Sequence, residues 1–167
     1  MTNINVRHAA ESDAESFLVL WDALDTETEF MLFEPNERQA KLESQKRRLA
    51  NAASSENIQI LVLEDNVKGV IAGFCAGRRS GNIRDRHCLH VVIGLMQSYT
   101  GMKYGERLLL ELEKWAKSRK IRRLELGVMV NNQRAISLYQ RLGYEIEGTK
   151  KKSIRLKSGY VDEHFMA

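Results

Sequence analysis

Hydrophobic and polar positions along the 167-residue chain repeat every second residue in some segments and with a helical spacing in others. Alternation at residues 4–7 and apolar runs with flanking turn residues elsewhere predict strands at residues 4–7, 58–64, 67–77, 87–95, 124–130, 144–148, 149–156 and 160–166. The helical repeat predicts helices from Ser12 or Asp13 to Leu24, over 36–53, over 106–119, and from Asn131 or Asn132 to Leu142. Because strands and helices interleave, the pattern predicts an α/β fold with a mixed sheet and helices on both faces.

Length and composition are those of one globular domain, which we expect to span residues 1–167. Hydrophobic residues make up 43% of the chain, enough for a sizeable core. No apolar run approaches the roughly 20 residues of a membrane-spanning helix, and the first residues lack the apolar core of a signal peptide. Cys75 and Cys88 lie in apolar stretches without metal-binding spacing. We therefore expect two reduced core thiols, no metal site and a cytoplasmic location.

The formal net charge is +4, and many basic residues lie in two segments, 114–123 and 150–157. These segments would attract a nucleic acid or a smaller polyanion such as a nucleotide cofactor. The alternative is that they form a solvated helix end and an exposed hairpin. Because they lack interleaved aromatic residues and a recognition-helix pattern, nucleic-acid binding is not expected.

A glycine-containing loop, residues 97–105, joins the predicted strand 87–95 to the helix 106–119. The free backbone N–H groups and the dipole at a helix N-terminus favour an anion such as a pyrophosphate. Gly101 and Gly105 would let the anion approach the backbone closely, because neither has a side chain. The alternative is a tight turn that only packs on the sheet.

Five spaced residues further along the chain carry a resemblance to a known family. They are Asn132, Ala135, Tyr139, Gly143 and Tyr144. Together with the loop, this N-x-x-A-x-x-x-Y-x-x-x-G-F/Y pattern resembles the GNAT N-acetyltransferases. The opening VRHAAESDA and the closing GYVDEHFM also resemble the family, closest in style to its ribosomal-protein and small-molecule branch. The resemblance covers nearly the whole chain and implies a mostly antiparallel sheet of about six to seven strands, four flanking helices and a splayed parallel strand pair at the cofactor site.

The loop departs from the family's Q/R-x-x-G-x-G/A pattern at two positions. With Gly105 at the last position, Thr100 takes the place of the Gln or Arg, and Lys103 takes the place of the middle glycine. The lysine would either crowd the pyrophosphate or pair with it while its backbone N–H still points inward. Cofactor affinity is therefore the property that this departure affects.

The resemblance implies acetyl-CoA as the cofactor and a primary amine, of a small molecule or a protein, as the acceptor. The backbone of residues 93–95 would bind the pantetheine arm, the loop would hold the pyrophosphate, and Asn132 would contact the arm near its thiol end. The implied cofactor-binding residues are Ile93, Gly94, Leu95, Thr100, Gly101, Met102, Lys103, Tyr104, Gly105, Glu106, Asn132 and Tyr139.

The implied reaction is direct attack of the amine on the thioester in a ternary complex. Tyr139 would give a proton to the departing thiolate. His90 lies where the family often has a glutamate base; water is the alternative, and His87 and Glu125 are less favoured. The rival hypothesis is a non-catalytic regulatory module that binds acyl-CoA without transferring the acyl group.

An apolar loop, residues 30–35, follows the first predicted helix, in the region that walls the acceptor pocket of this family. The implied acceptor-site residues are Glu29, Phe30, Phe33 and Glu34, whose two glutamates would recognise a cationic amine. The acceptor stays open among a protein N-terminus, a lysine, a polyamine, an amino acid and an antibiotic amine. A homodimer is one option, because dimers are common in such folds.

Overall fold

In the computed structural model, which describes residues 3–167, strands and helices interleave as the hydrophobic pattern predicts. The strands are β1 (Ile4–His8), β2 (Ile58–Asp65), β3 (Val70–Arg79), β4 (Cys88–Leu95), β5 (Arg123–Met129), β6 (Ile146–Leu156) and β7 (Gly159–Met166). The helices are α1 (Ala14–Glu27), α2 (Leu42–Ser54), α3 (Tyr104–Ser118) and α4 (Gln133–Arg141).

Within this described part of the chain, the strands form a seven-stranded sheet in the order β1-β2-β3-β4-β5-β7-β6. Neighbouring strands are antiparallel except β4 and β5, which run parallel. A parallel pair needs a long crossover connection, and α3 provides it. The predicted mixed, mostly antiparallel sheet with flanking helices and one parallel pair is confirmed.

The parallel strands β4 and β5 are paired over only three residues of each strand. Residues 88–90 pair with residues 123–125, and no pairing between β4 and β5 follows. Beyond this point β4 stays paired with β3 as far as Leu95, while β5 pairs with β7 from Leu126 to Met129. The two strands therefore separate and leave an opening through the sheet, which confirms the predicted splay.

Two hydrophobic cores lie on the two faces of the sheet. On the α1/α2 face, Phe17, Leu20 and Leu49 are fully buried. On the α3/α4 face, Leu108 and Leu112 have no exposed surface. Burying a side chain of this size stabilises the fold by roughly 1.5–3 kcal/mol. The helices thus hold both sides of the opening in place.

The second helix starts later than predicted. Residues 36–41 form turns and extended backbone, and Asn36 has a positive φ of 66°. At the start of α2, the Lys41 N–H donates a hydrogen bond to the Ser44 hydroxyl (3.2 Å). The predicted start at Asn36 was wrong because residues 36–41 carry no apolar stripe that could bury against the sheet.

The C-terminal hairpin is one long pair of strands. Residues 144–148 and 149–156, predicted as separate strands, instead contribute to the single strand β6, which pairs with β7. The pairing register shifts between Lys150 and Ile154, and Lys152 has a positive φ of 53°. β6 is the last strand in the order of the described sheet, so its outer side forms an edge.

Both cysteines are free thiols. Cys75 lies on β3 in the core of the α3/α4 face, and burial raises the pKa of its thiol. Cys88, at the start of β4, is only partly buried, so the predicted core position is confirmed for Cys75 alone. From residue 3 to the end of the chain, no helix has the length and apolar character needed to cross a membrane.

Candidate active site

The opening between β4 and β5 leads into a large cleft. This cleft has a volume of about 2040 Å³ and reaches from the loop after α1 to the loop before α3. Its walls come from both faces of the sheet, so it connects the α1/α2 face with the α3/α4 face. A large concave surface on which polar groups converge is the default position for a ligand site.

The loop before α3 presents backbone donors to this cleft. Residues 97–99 form one 3₁₀ turn, Gly101 follows with a positive φ of 79°, and α3 begins at Tyr104. The first N–H groups of a helix have no partner within it and lie at the positive end of its dipole. Since α3 is 15 residues long, the loop is suited to hold the phosphates of a nucleotide.

Lys103 occupies the N-cap position of α3 in a left-handed conformation, with φ 62° and ψ 11°. This conformation costs a residue with a Cβ roughly 1 kcal/mol and costs glycine little, which explains why glycine suits the position. The lysine side chain is exposed and lines the cleft. The backbone therefore keeps the shape that a glycine would give it, and the ammonium group adds positive charge.

Gly105 lets the start of α3 pack against α4. A Cβ at this position would lie 3.0 Å from the Leu138 Cδ2 and 3.7 Å from the Leu95 Cδ1. The first distance is tighter than ordinary van der Waals packing, so a side chain at this position would require the Leu138 side chain to shift. The anion-binding loop and the start of α4 therefore stay close together as two walls of one cleft.

Asn132 forms the N-cap of α4. Its side-chain Oδ1 accepts a hydrogen bond from the Ala135 N–H (3.2 Å), and the residue also lines the cleft. The cap uses the side-chain oxygen and leaves the two amide protons of the same side chain for other partners. Helix capping and ligand binding are thus compatible roles for Asn132.

Tyr139 lies on the buried face of α4, with 6% of its surface exposed, and lines the cleft. We find no hydrogen-bond partner for its hydroxyl among residues 3–167, although the oxygen is not sealed from the cleft. Burial raises the pKa of the Tyr139 phenol well above its usual range, and the nearby Cys75 and Tyr144 raise it further. The phenol is therefore protonated at neutral pH and has a proton to donate.

Arg134 joins the two walls of the cleft and was not identified from the sequence. Its Nη1 donates a hydrogen bond to the Thr100 Oγ1 (2.5 Å), which links the first turn of α4 to the anion-binding loop. A positive side chain in the first turn of a helix opposes the helix dipole. This misfit with helix electrostatics is a signal in the sequence that could have pointed to the residue.

His90 faces the other side of the opening. Side chains alternate along a strand, and a Cβ on Gly94, four residues later, would lie 2.8 Å from the Leu24 Cδ1 of α1. His90 therefore points toward the α1/α2 face, where it is exposed and lines the cleft. Tyr139 and His90 thus approach the opening from opposite faces of the sheet.

A carboxylate that the sequence analysis missed lies on the β5 side of the opening. Glu163 of β7 extends over Gly127 of β5, where a Cβ would overlap the carboxylate. The Glu163 side chain is 21% exposed, lines the cleft and forms an ion pair with Lys150 (Nζ–Oε2, 3.1 Å). No local pattern marks this position, because β5 and β7 meet through the long-range register of the sheet.

The loop after α1 forms the outer wall of the cleft on the α1/α2 face. Phe30 and Phe33 line the cleft there and are partly exposed. Glu29 also lines it and accepts a hydrogen bond from the Asn131 side-chain amide (3.4 Å). Glu34, by contrast, lies outside the lining, and its backbone N–H donates to a side-chain oxygen of Glu37 (2.8 Å).

A mostly buried ion pair anchors the connection between α1 and α2. The Arg38 guanidinium donates from two nitrogens to the two carboxylate oxygens of Asp25, and the side chains are 18% and 4% exposed respectively. The same guanidinium lies 4.5 Å from the Trp21 ring centroid and 4.1 Å from the Phe33 ring centroid. The pair therefore fixes the aromatic part of the outer wall.

Most residues that the sequence analysis assigned to the site line this cleft. They are Glu29, Phe30, Phe33, His90, Ile93, Gly94, Leu95, Thr100, Gly101, Lys103, Tyr104, Gly105, Glu106, Asn132 and Tyr139. Met102 lies instead on a neighbouring groove along α3. His87 and Glu125 do not line the cleft, and Glu125 forms an ion pair with Arg123 (2.9 Å).

The chemistry available in the cleft is that of proton transfer beside a bound anion. Within residues 3–167 there is no group of three or more His, Cys, Asp or Glu side chains that could hold a metal ion. A protonated phenol, an imidazole and free backbone donors all border this cleft. Such a site can stabilise a developing negative charge and move protons on both sides of a reacting centre.

Known proteins share the sequence of this region. Residues 19–144 match the model of the acetyltransferase (GNAT) family. Over 48 residues, the chain is 46% identical to the L-amino acid N-acetyltransferase AaaT of Escherichia coli (strain K12). That alignment covers 29% of this chain and 30% of the relative, so the similarity spans less than a third of that enzyme.

Solved structures share the fold over nearly the whole chain. An acetyltransferase of the GNAT family from Streptococcus pneumoniae has a TM-score of 0.93 at 30% identity, with 98% of each chain covered. A ribosomal-protein-alanine N-acetyltransferase from Brucella melitensis has a TM-score of 0.83 at 26% identity, with 97% of each chain covered. The splayed strand pair and the four helices therefore belong to an architecture that these proteins share.

Proposed function

Because the chain belongs to the GNAT acetyltransferase family and is an acetyl-CoA-dependent N-acetyltransferase, we propose that it acetylates a primary amine by direct attack at the opening between β4 and β5. The observation that carries this proposal is the approach of Tyr139 and His90 to the opening from opposite faces of the sheet. One face would receive the donor and the other the acceptor. Neither cysteine lines the cleft, so a covalent acyl-enzyme through a thiol is not part of the proposal.

The residues around the opening fit acetyl-CoA. The loop from Thr100 to Glu106 offers backbone N–H groups and the α3 dipole to the pyrophosphate. Residues 93–95 of β4 have no β5 partner, so backbone groups on that side are free for the amides of the pantetheine arm. When bound, acetyl-CoA supplies an activated acetyl group and a thiolate leaving group.

The Lys103 side chain is expected to pair with a cofactor phosphate. Replacing Lys103 by Gly should weaken acetyl-CoA binding by up to about fivefold, because an exposed charge contributes up to about 1 kcal/mol. The same change should raise the free energy of unfolding by up to about 1 kcal/mol, because glycine adopts the left-handed conformation without strain. Calorimetric titration of acetyl-CoA and denaturant unfolding measure the two effects.

The matched control for this prediction is Lys103→Ala. Alanine removes the charge but keeps the Cβ in the left-handed conformation, so it should weaken binding without the gain in stability. Tighter binding of acetyl-CoA by Lys103→Gly than by the natural chain would contradict the assignment. It would show that the lysine side chain crowds the phosphates.

Tyr139 and His90 divide the proton transfers between them. During the reaction a C–N bond forms as the C–S bond breaks, the nitrogen loses a proton and the sulfur gains one. His90 accepts the proton of the amine on the α1/α2 face, and Tyr139 donates its proton to the sulfur on the α3/α4 face. Backbone N–H groups of residues 93–95 polarise the carbonyl oxygen. Both side chains border the cleft, through which protons exchange with solvent and restore the starting state.

The assignment of His90 as the base predicts a loss of turnover in His90→Gln. We expect kcat to fall about 10- to 100-fold. The loss is limited because His90 is exposed, so a water molecule can partly replace it as the base. Added imidazole should restore part of the lost activity. Release of the free thiol at saturating acetyl-CoA measures turnover.

Glu163→Gln is the companion variant for this prediction. Glu163 borders the cleft on the same face of the sheet as His90, but its carboxylate is paired with Lys150. We therefore expect its kcat to stay within about threefold of the natural chain. A larger loss in Glu163→Gln than in His90→Gln would transfer the role of base to Glu163.

We also propose the cytoplasm as the compartment in which the protein acts. Both cysteines are free thiols in the fold, which suits a reducing environment.

A further inference from the structure

Two arginines on the acceptor side of the cleft lack an acidic partner within residues 3–167. Arg48 of α2 and Arg78 of β3 both line the cleft. We find no ion pair for either arginine among the described residues, whereas Arg38 on the same side is paired with Asp25. Arg48 and Arg78 are thus available to an anion from outside the chain.

The carboxylates around this part of the site already have partners. Two of them form ion pairs and two accept hydrogen bonds, one from a backbone N–H and one from a side-chain amide. They are Asp25, Glu163, Glu27 and Glu29. Each of these four carboxylates therefore has a polar partner, whereas the guanidinium groups of Arg48 and Arg78 have no acidic partner within residues 3–167.

Arg48 lies where an anion would lower the electrostatic energy. Its guanidinium carbon is 4.7 Å from the Trp21 ring centroid, and that of Arg38 is 4.5 Å from the same centroid. Burial lowers the pKa of Arg48, and the charge of Arg38 lowers it further. Two guanidinium groups thus share one indole ring, and Asp25 neutralises only one of them. A planar guanidinium is suited to bind a carboxylate through two hydrogen bonds.

Arg78 places a second guanidinium beside the assigned base. Arg78 of β3 lies directly opposite His90 of β4 in the antiparallel register. Side chains of directly opposed residues share one face of the sheet, with Cβ atoms about 4.5–5.5 Å apart. A carboxylate held by Arg78 would therefore lie within a few ångströms of an amine at His90. Amino and carboxylate groups on one carbon match this short separation.

Arg48 and Arg78 do not lie where they could bind the phosphates of acetyl-CoA. The phosphate-binding loop precedes α3, and its Tyr99 packs into the core of the α3/α4 face. Arg78 shares the opposite face with His90, and Arg48 belongs to α2, which packs on that same face. The sheet separates the two positive regions, so the arginines bind the other substrate.

We propose that the acceptor is a small amine with a carboxylate next to its amino group, and that Arg48 and Arg78 bind this carboxylate. The inference rests on the proposed function, because it places the acceptor amine at His90. Phe30 and Phe33 line the same part of the cleft and provide an apolar surface for the remainder of the molecule.

The test compares acceptors that differ in one charge. Each standard L-amino acid is assayed beside its primary amide, at equal concentrations of neutral amine, by release of the free thiol from acetyl-CoA. Loss of a charged hydrogen bond to an arginine lowers kcat/KM about 10- to 100-fold. We expect the preferred amino acid to exceed its amide by this factor.

Variants then assign the preference to the two arginines. Arg48→Gln and Arg78→Gln should each raise KM for the amino acid about tenfold or more, with kcat within about threefold and the amide unaffected. Arg47→Gln is the matched control, because it removes the same charge from the next position of α2 but does not line the cleft. Equal effects of Arg47→Gln and Arg48→Gln would overturn the proposal.

The remaining outcomes separate this inference from the proposed function. Equal kcat/KM values for amino acids and their amides would disprove the proposed carboxylate site but would be consistent with amine acetylation. Acetylation of peptides with an acidic first residue, without acetylation of free amino acids, would overturn the small-molecule acceptor. If acetyl-CoA binds but no amine of any class is acetylated, the proposed function fails together with this inference.

Discussion

Replacing Tyr139 by Phe is expected to lower kcat about 100- to 10,000-fold while leaving the Kd for acetyl-CoA within about twofold. The ring stays in place and keeps the packing of α4, so only the proton donor is lost. The hydroxyl borders the cleft without a hydrogen-bond partner among residues 3–167, and burial holds its pKa well above the usual range. The phenol therefore remains protonated over the pH range in which the enzyme is assayed.

Tyr144→Phe provides the control for this variant. The Tyr144 ring centroid lies 5.8 Å from that of Tyr139, and burial also raises the pKa of its phenol. Tyr144 does not line the cleft, so its variant should retain turnover within about threefold. A comparable loss of kcat in both variants, or an unchanged kcat in Tyr139→Phe, would contradict the role of Tyr139 as the proton donor. Single-turnover kinetics together with calorimetric titration separate chemistry from binding.

Replacing Asp25 by Ala is expected to lower the free energy of unfolding by about 3–5 kcal/mol. The substitution leaves the Arg38 guanidinium mostly buried beside Trp21 and Phe33 without its carboxylate partner. A buried charge without a partner costs far more than the ion pair itself contributes. Denaturant unfolding measures the loss as a lower midpoint at an unchanged slope.

The double variant Asp25→Ala with Arg38→Met tests the cause of that loss. It removes both charges and places an apolar side chain against the Trp21 ring, so it should recover most of the lost stability. The same midpoint for Asp25→Ala and the natural chain would mean that the ion pair does not anchor the connection between α1 and α2.

The donor side of the site could be predicted because its residues lie in two contiguous segments. The loop 97–105 adjoins α3, and the residues from Asn132 to Tyr144 form one helix with its C-terminal turn. Spacing along a helix places Asn132 at the cap and Tyr139 on the buried face. Sequence distance and distance in space are closely related in such segments, so the pattern predicts the geometry.

The acceptor side could not be predicted in the same way. Arg78 lies beside His90, and Glu163 lies over Gly127, through the pairing register of strands that are distant in the chain. No local pattern fixes such a register; hydrophobic burial on both faces of the sheet does. Glu34, predicted from its place in an apolar loop, is not among the residues that line the cleft.

The lysines of β6 have a consequence for how copies of the protein meet. β6 is at the edge of the described sheet, its residues 150–152 are exposed, and its register shift and the positive φ of Lys152 make it irregular. Charged side chains and irregular backbone on an edge strand hinder the addition of a strand from another chain. This edge is therefore protected against edge-to-edge aggregation, and a homodimer formed by pairing of edge strands would not use β6.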